Sequence, residues 1–482
     1  MRRPVRLIAP AAAALSALAS LPLAACQEVE SQVRAPESPN IIFVLTDDLA
    51  SNLVQYMPHV KQMQQRGMTF SDYYVTDSLC CPSRSTIFTG KYPHNTGVFT
   101  NQGADGGYRT FRGRGNEQAT FATALRKSGY RTAMMGKYLN GYQPNDPVPP
   151  GWDEWDVAGN GYPEFNYTLN ENGRQVRYGN RPEDYLTDVL AGKGAGFVTQ
   201  AAKDRRPFMM EIATFAPHGP ATPAPRDAGL FPGLLAPRGP AFNEADISDK
   251  PGWLQGHPRL RPEQIRKIDT VYRKRARSVQ AVDDLIGRLQ ATLKATGTDR
   301  DTYLVFSSDN GFHLGEHRLA QGKQTAFDTD IRVPLMVTGP GVPAGSTHRG
   351  LTQNTDLCPT FEELGGVPVP ASVDGRSLVP ALKGDPTPRR EAVLIEHHGP
   401  NDRPDDPDRQ GRAAGNPPGY EALRTAGELY VEYADGRREY YALKNDPTEL
   451  DNTIEQLSPQ RLEELQSRLN ELRGCRGGIC HT

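Results

Sequence analysis

The stretch that decides the fold is NIIFVLTDD, residues 40–48. Its apolar, β-branched run shows no alternation. It therefore reads as a strand buried on both faces, the kind found in parallel sheets covered by helices. Two carboxylates, Asp47 and Asp48, close it. The stretch TYLVFSSDNG, residues 302–311, repeats the design and ends in Asp309, Asn310 and Gly311. Between them, YRTAMMGKYLN (130–140) runs apolar into Lys137, and FMMEIATFAPHGP (208–220) runs apolar into His218. VPLMVTGPG (333–341) is a further strand. Residues 120–128 and 264–296 carry apolar side chains at helical spacing and stop at Gly129 and Gly297. Strands alternating with helices predict an α/β domain, a large mixed, mostly parallel sheet sandwiched by helices. In such sheets, active groups gather outside the carboxyl ends of the strands. One strand delivering polar residues there would mean little, but four strands together suggest a site.

The 482 residues suffice for one large domain and a smaller one. Hydrophobic residues make up 37% and charged ones 23%, as in a soluble globular protein. With 55 basic and 57 acidic residues the formal net charge is -2, which argues against nucleic acid as a partner. The 47 glycines and 41 prolines predict many loops rather than a helical bundle.

The chain starts like an export signal. Arg2, Arg3 and Arg6 form a basic segment, residues 7–25 are apolar and small, and the run ends in Leu23-Ala24-Ala25-Cys26. The apolar run is short for a membrane span and is broken by Pro10 and Pro22. Its ending resembles a bacterial lipobox. That implies Cys26 as the lipidated first residue of a cell-envelope lipoprotein, attached to the membrane through lipid alone. A cleaved secretory signal is the alternative, and Arg2-Arg3 also fits twin-arginine export. Residues 26–39 then form a flexible tether.

Export to an oxidising compartment favours disulfides. Cys475 and Cys480, in CRGGIC, can close a small loop, whereas Cys358 stands alone and reads as a buried apolar residue. Adjacent Cys80 and Cys81 make a poor disulfide with each other, because neighbours cannot easily meet the geometry. From about residue 372 the texture changes. EAVLIEHHGP (391–400) is a strand, residues 401–418 form a polar loop, residues 420–450 alternate about Asp435-Gly436, and residues 458–473 are an amphipathic helix. We expect a catalytic domain over residues 40–371 and a small antiparallel-sheet subdomain over residues 372–482.

Asp47, Asp48, Asp309 and Asn310 are hard oxygen donors, a set that suits Ca²⁺ or Mg²⁺ rather than zinc. Either pair alone would pass for ordinary loop caps. In LCCPSRSTIFTGKYPHN (79–95), Pro82 suits the first residue of a short helix and Gly90 its stop. Cys80 and Cys81 then sit at a helix N-terminus, where free N–H groups favour an anion, and Arg84 follows one turn in. A cysteine thiolate would also fit there.

The run Cys80-Cys81-Pro82-Ser83-Arg84, followed by Thr89-Gly90-Lys91, resembles the signature of the type I sulfatases, of alkaline phosphatase-like fold. Asp47-Asp48, Gly136-Lys137, Pro217-His218, Asp309-Asn310-Gly311 and Lys323 resemble further family landmarks in order. CCPSR, GKYLN and DNGFHLGEH are similar to the branch of N-acetylglucosamine-6-sulfatases and heparan 6-sulfatases. The resemblance implies that a separate maturation enzyme oxidises Cys80 to formylglycine. A hydroxyl of its hydrate, beside a Ca²⁺ held by Asp47, Asp48, Cys80, Asp309 and Asn310, would then attack the sulfate ester. Arg84 and Lys137 would balance charge, Lys323 would grip the sulfate, and His218 would protonate the leaving alcohol. The substrate would be a sulfated carbohydrate or an aryl sulfate.

One position departs from the family pattern. Leu139 stands where many sulfatases place a histidine, and Asn140 is the candidate substitute. His313 and His317 are further candidates for the substrate, as are His397 and His398, with structural roles as the alternative. Two other functions compete: a phosphonate or phosphate ester hydrolase with the same nucleophile, and a non-catalytic lipoprotein that binds sulfated glycans.

Overall fold

The structure is a computed structural model that describes residues 38–387 and 389–481. The signal segment, Cys26 and almost all of the 26–39 tether lie outside the described residues. In chain order the strands of the larger part are β1 (Asn40–Thr46), β2 (Met68–Phe70), β3 (Tyr73–Tyr74), β4 (Arg131–Lys137), β5 (Glu154–Ala158), β6 (Thr168–Glu171), β7 (Arg174–Arg177), β8 (Phe208–Ala213), β9 (Thr302–Ser308), β10 (Leu335–Thr338), β11 (Ser346–His348) and β12 (Thr352–Gln353). Those of the C-terminal part are β13 (Ala392–His397), β14 (Tyr420–Thr425), β15 (Leu429–Tyr433) and β16 (Arg438–Tyr441).

Ten of them form one sheet in the order β11-β2-β10-β9-β1-β8-β4-β5-β6-β7. At its centre, β1 runs parallel to β9, with Val44 opposite Phe306, and parallel to β8, with Val44 opposite Ile212. The parallel block continues through β4 to β5. The strand read from residues 333–341 is β10, and it runs antiparallel to β9. The expected continuous burial of β1 is present: Ile41, Phe43 and Leu45 enter one core and Ile42 and Val44 the other. Each such side chain contributes about 1.5–3 kcal/mol on burial.

Helices cover both faces. The helix Pro262–Thr296, with Tyr272, Val279 and Leu289 inward, packs beside the helix Leu186–Asp204 on the Val44 side. The helices Cys80–Thr89, Phe121–Lys127 and Leu357–Leu364 pack on the Phe43 side. The C-terminal sheet is antiparallel throughout, in the order β13-β14-β15-β16. Val393, Ile395, Ala422 and Val431 face the main core, while Leu394, Leu423 and Tyr430 face the helix Pro459–Arg473. Asp435 and Gly436 form the β15–β16 turn, with Gly436 at φ 85°. Cys475 and Cys480 are joined as a disulfide, and Cys358 is buried.

Candidate active site

Because β1, β4, β8 and β9 are parallel, their carboxyl ends lie on one edge of the sheet. Asp47 and Asp48 follow β1, Lys137 ends β4, His218 follows β8, and Asp309 and Asn310 follow β9. Two glycines permit this convergence. Gly136 has φ 96°, and a side chain there would collide with the carbonyl of Ala213 on β8. A side chain at Gly311 would collide with the carbonyl of Thr329.

The helix carrying the cysteines begins at Cys80, two residues earlier than Pro82 suggested, and stops at Gly90 in the left-handed conformation. Cys80 thus occupies its first turn, with Arg84 one turn further along the same face. Cys80 Sγ lies 3.1 Å from Asp47 Oδ1 and 2.9 Å from Lys323 Nζ. Arg84 donates from Nε to Asp309 Oδ2 at 2.8 Å and from Nη1 to the Lys137 carbonyl at 2.8 Å. Its Nη2 is buried without a hydrogen-bond partner. Cys81 points into the apolar core and donates its backbone N–H to Asn101 Oδ1.

The two lysines bracket the cysteine. Lys137 Nζ lies 2.6 Å from Asp47 Oδ2, and Lys323 Nζ lies 2.6 Å from Asp48 Oδ1. Burial opposes the charge on each, but the carboxylates beside them raise both ammoniums well above the usual range. Burial alone would raise Asp47, yet Lys137, His218, Arg84 and Lys323 hold it below the usual carboxylate range. Burial, reinforced by Asp309, Asp408 and Asp47, pushes the Cys80 thiol up.

The donor set fits a hard divalent cation. Oxygens of Asp47, Asp48 and Asp309 and the position-80 side chain lie within 4.8 Å of one another, all buried. Asn310 donates from Nδ2 to Asp48 Oδ1 at 2.8 Å, while its Oδ1 is buried with no hydrogen-bond partner. An orphaned amide oxygen beside three carboxylates is what a cation would satisfy.

His218 also reaches the cluster. Its Nδ1 is 2.8 Å from the Gly219 carbonyl, and its Nε2 is 2.6 Å from Asp408 Oδ1 and 3.7 Å from Asp48 Oδ2. Burial would lower this imidazole, but Asp48, Asp47 and Asp408 raise it above the ordinary histidine value. Tyr162 packs its ring 4.5 Å from the His218 ring, and Lys137 Nζ lies 5.0 Å from the centroid of the Tyr162 ring.

Asp408 was not anticipated. It lies in the segment read as a plain polar loop, yet it is buried, with Oδ1 also 2.7 Å from Lys323 Nζ and Oδ2 2.6 Å from Asn101 Nδ2. Asn140 comes to the same place, with Nδ2 3.5 Å from Asp408 Oδ2 and Oδ1 buried and unpartnered.

His313 and His317 are not brought to this cluster. His313 bonds Asp330 through Nδ1 at 3.0 Å and the Ala414 carbonyl through Nε2 at 2.9 Å, so both nitrogens are taken. His317 bonds Glu244 at 2.7 Å and stacks on Phe327. Both serve the loop that presents Lys323. His397 is buried 3.4 Å from Asp77, and His398 stacks on Phe99.

Residues 39–367 match the Sulfatase family model. Among known proteins, the N-acetylglucosamine-6-sulfatase of Homo sapiens is 35% identical, over 97% of this chain and 90% of its own length. The Extracellular sulfatase SULF-1 homolog of Drosophila melanogaster is 36% identical over 71% of this chain, which spans 31% of that protein. A solved structure described as a complex "with its substrate D-Glucosamine-2-N, 6-O-disulfate" superposes with a TM-score of 0.72 at 25% identity, covering 91% of this chain and 98% of that one.

Proposed function

Because the chain belongs to the sulfatase family and is a sulfuric ester hydrolase, we propose that it releases inorganic sulfate from a sulfated sugar, with 6-sulfated glucosamine residues as the substrate class. One observation carries the reading: position 80 sits on the first turn of a buried helix, within 3.1 Å of Asp47 and 2.9 Å of Lys323. The relatives that bear glucosamine 6-sulfatase names, and the neighbour bound to a 6-O-sulfated glucosamine, support the substrate class.

Formylglycine at position 80 would supply the nucleophilic oxygen, and Asp47, Asp48, Asp309 and Asn310 would hold a divalent cation that would supply positive charge beside it. Everything else falls to the chain's own side chains. Lys323 and Lys137 set fixed positive charge where negative charge grows on the sulfate oxygens. Arg84 neutralises Asp309 and holds the Lys137 backbone in place. His218 keeps a proton at Nε2 and passes it to the departing alcohol oxygen, with Nδ1–H donating to the Gly219 carbonyl to fix the ring. Asn140 and Asp408 border the sugar side. Export fits the signal-like start and the extracellular names among the relatives, and the Leu23-Ala24-Ala25-Cys26 ending supports lipid attachment at Cys26. Among the described residues, no helix is long and apolar enough to cross a membrane.

The test is sulfate release, by protein produced with a maturation enzyme, from 6-sulfated N-acetylglucosamine and an aryl sulfate, beside turnover of a phosphonate ester. The sugar sulfate should be turned over with the highest kcat/KM. A higher value on the phosphonate ester overturns the reading.

A further inference from the structure

The buried stripe of the helix Pro262–Thr296 holds Ile268, Tyr272, Val279 and Leu289, and among them sits an arginine, Arg275. Its side chain is buried, at 1% exposure. A guanidinium does not enter such a stripe for packing alone, because taking its N–H groups from water is costly unless new acceptors replace it. Arg275 finds those acceptors in the loops of the active site. Nη1 donates to the Pro217 carbonyl at 3.1 Å, and Nη2 donates to the Asp48 carbonyl. The guanidinium carbon lies 3.9 Å from the centroid of the Phe312 ring. Asp48 and Asp47 supply negative charge nearby that counters the cost of burial.

One side chain therefore touches the loops that follow β1, β8 and β9. Pro217 precedes His218, and Phe312 follows Asn310 and Gly311. Asp48 is the residue that most needs a hold. It lies at φ 65°, a left-handed conformation uncommon outside glycine. Its N–H donates to Asp309 Oδ1 at 3.1 Å and its carbonyl accepts from Arg275, so its backbone is clamped on both sides. Held this way, its carboxylate lies 2.8 Å from Asn310 Nδ2 and 3.7 Å from His218 Nε2. Removing the guanidinium takes this donor from two buried carbonyls and frees Asp48 and His218 to shift against each other.

We propose that Arg275 is a positioning residue for the hydrolysis: by joining the backbones of Asp48 and Pro217, it sets the Asp48 carboxylate toward the cation site and the His218 ring toward the departing alcohol. It acts only through those two residues. The proposal rests on the roles given to Asp48 and His218 above.

The test compares Arg275→Met, which keeps an apolar stem and loses both bonds, with Arg275→Lys and with Leu289→Ala, a core change elsewhere on the same helix. Two readouts separate positioning from stability. One is kcat for a 6-sulfated glucosamine, whose leaving alcohol needs a proton, against kcat for a nitrophenyl sulfate, whose phenolate leaves without one. The other is the Ca²⁺ concentration at the midpoint of the rise in Tm, which needs no turnover. Arg275→Met should lose about 10²-fold in kcat on the sugar sulfate, the scale of an acid moved out of line. KM should hardly change, and the loss on the aryl sulfate should be several-fold smaller. The Ca²⁺ midpoint should rise about tenfold, as when a residue that orients metal ligands is removed. Arg275→Lys should fall between, because an ammonium offers the two carbonyls a point charge and no fork. Leu289→Ala should lower Tm and leave both the ratio of the two kcat values and the Ca²⁺ midpoint unchanged. Equal losses on the two esters with an unmoved Ca²⁺ midpoint would overturn the proposal, and so would parent kinetics in Arg275→Met. If Arg275→Met does not fold, Arg275→Lys is judged by the same two readouts. A parent enzyme that releases no sulfate from either ester would instead overturn the proposed function, and the Ca²⁺ midpoints would still decide the role of Arg275.

Discussion

Asp408 Oδ1 approaches His218 Nε2 to 2.6 Å across 190 residues of chain. The same oxygen lies 2.7 Å from Lys323 Nζ. A carboxylate of the loop thus rests on the two side chains assigned to the leaving alcohol and the sulfate.

That contact has a pH consequence. Burial favours the neutral imidazole of His218, and Asp48, Asp47 and Asp408 overcome it, so the charged form persists above the ordinary value. An acid with a raised value is fully available at low pH and is lost as pH rises through that value. Asp408→Asn removes one of the stabilising charges. The alkaline limb of kcat/KM should move to lower pH than in the parent enzyme. An alkaline limb that stays in place would show that His218 is not the acid or that Asp408 does not hold its proton.

The two adjacent cysteines should behave oppositely. Cys80 faces Asp47 and Lys323, whereas Cys81 lies in the apolar core. Cys80→Ala should lower turnover by at least about 10³-fold, the scale of losing a nucleophile. Cys81→Ala should cost stability and keep the activity of the folded fraction. Mass analysis of the peptide spanning residues 79–84 should find the aldehyde at position 80 and a thiol at position 81. An unmodified Cys80 in fully active enzyme would sink the assignment.

Cation binding can be read without substrate. Asp47, Asp48 and Asp309 crowd their carboxylates together, and Asn310 Oδ1 has no partner. A cation that binds only the native state stabilises it by about 2.7 kcal/mol at a hundredfold excess over Kd. Chelator-treated protein should melt lower and recover with Ca²⁺, by more than with Mg²⁺, which demands a stricter octahedron. Asn310→Ala should shift the titration to higher Ca²⁺. No rise in Tm with either ion would exclude the site.

Much of this was legible because strands buried on both faces need unbroken apolar runs, which made β1 and β9 plain and put Asp47 and Asp309 at their ends. Lys137 and His218 followed from the same rule. Asp408 was not legible. Its loop has neither helical nor strand periodicity, and its partners His218 and Asn101 are remote in sequence. The available signal was acid density, with Asp402, Asp405, Asp406 and Asp408 in one short segment. His313 and His317 misled for a related reason. Their neighbours in sequence reach the site, but Asp330 and Glu244, which engage them, come from other segments.

The join between the C-terminal sheet and the larger sheet's helices gives the last prediction. Just ahead of β13, Arg390 grips Asp356 with both terminal nitrogens, each at 2.6 Å, and both side chains are buried. Asp356 also accepts the backbone N–H groups of Gln353 and Arg376 and leads into the helix Leu357–Leu364. Removing one ion strands the other in a dry site, which costs about 3–5 kcal/mol. Arg390→Ala and Asp356→Ala should each lower the unfolding free energy from urea titration by that scale. The double change Arg390→Met/Asp356→Leu should cost less than the two single losses combined, because no uncompensated charge is left. Losses that simply add across the pair would mean that the two side chains do not stabilise one another and that the join depends on apolar packing alone.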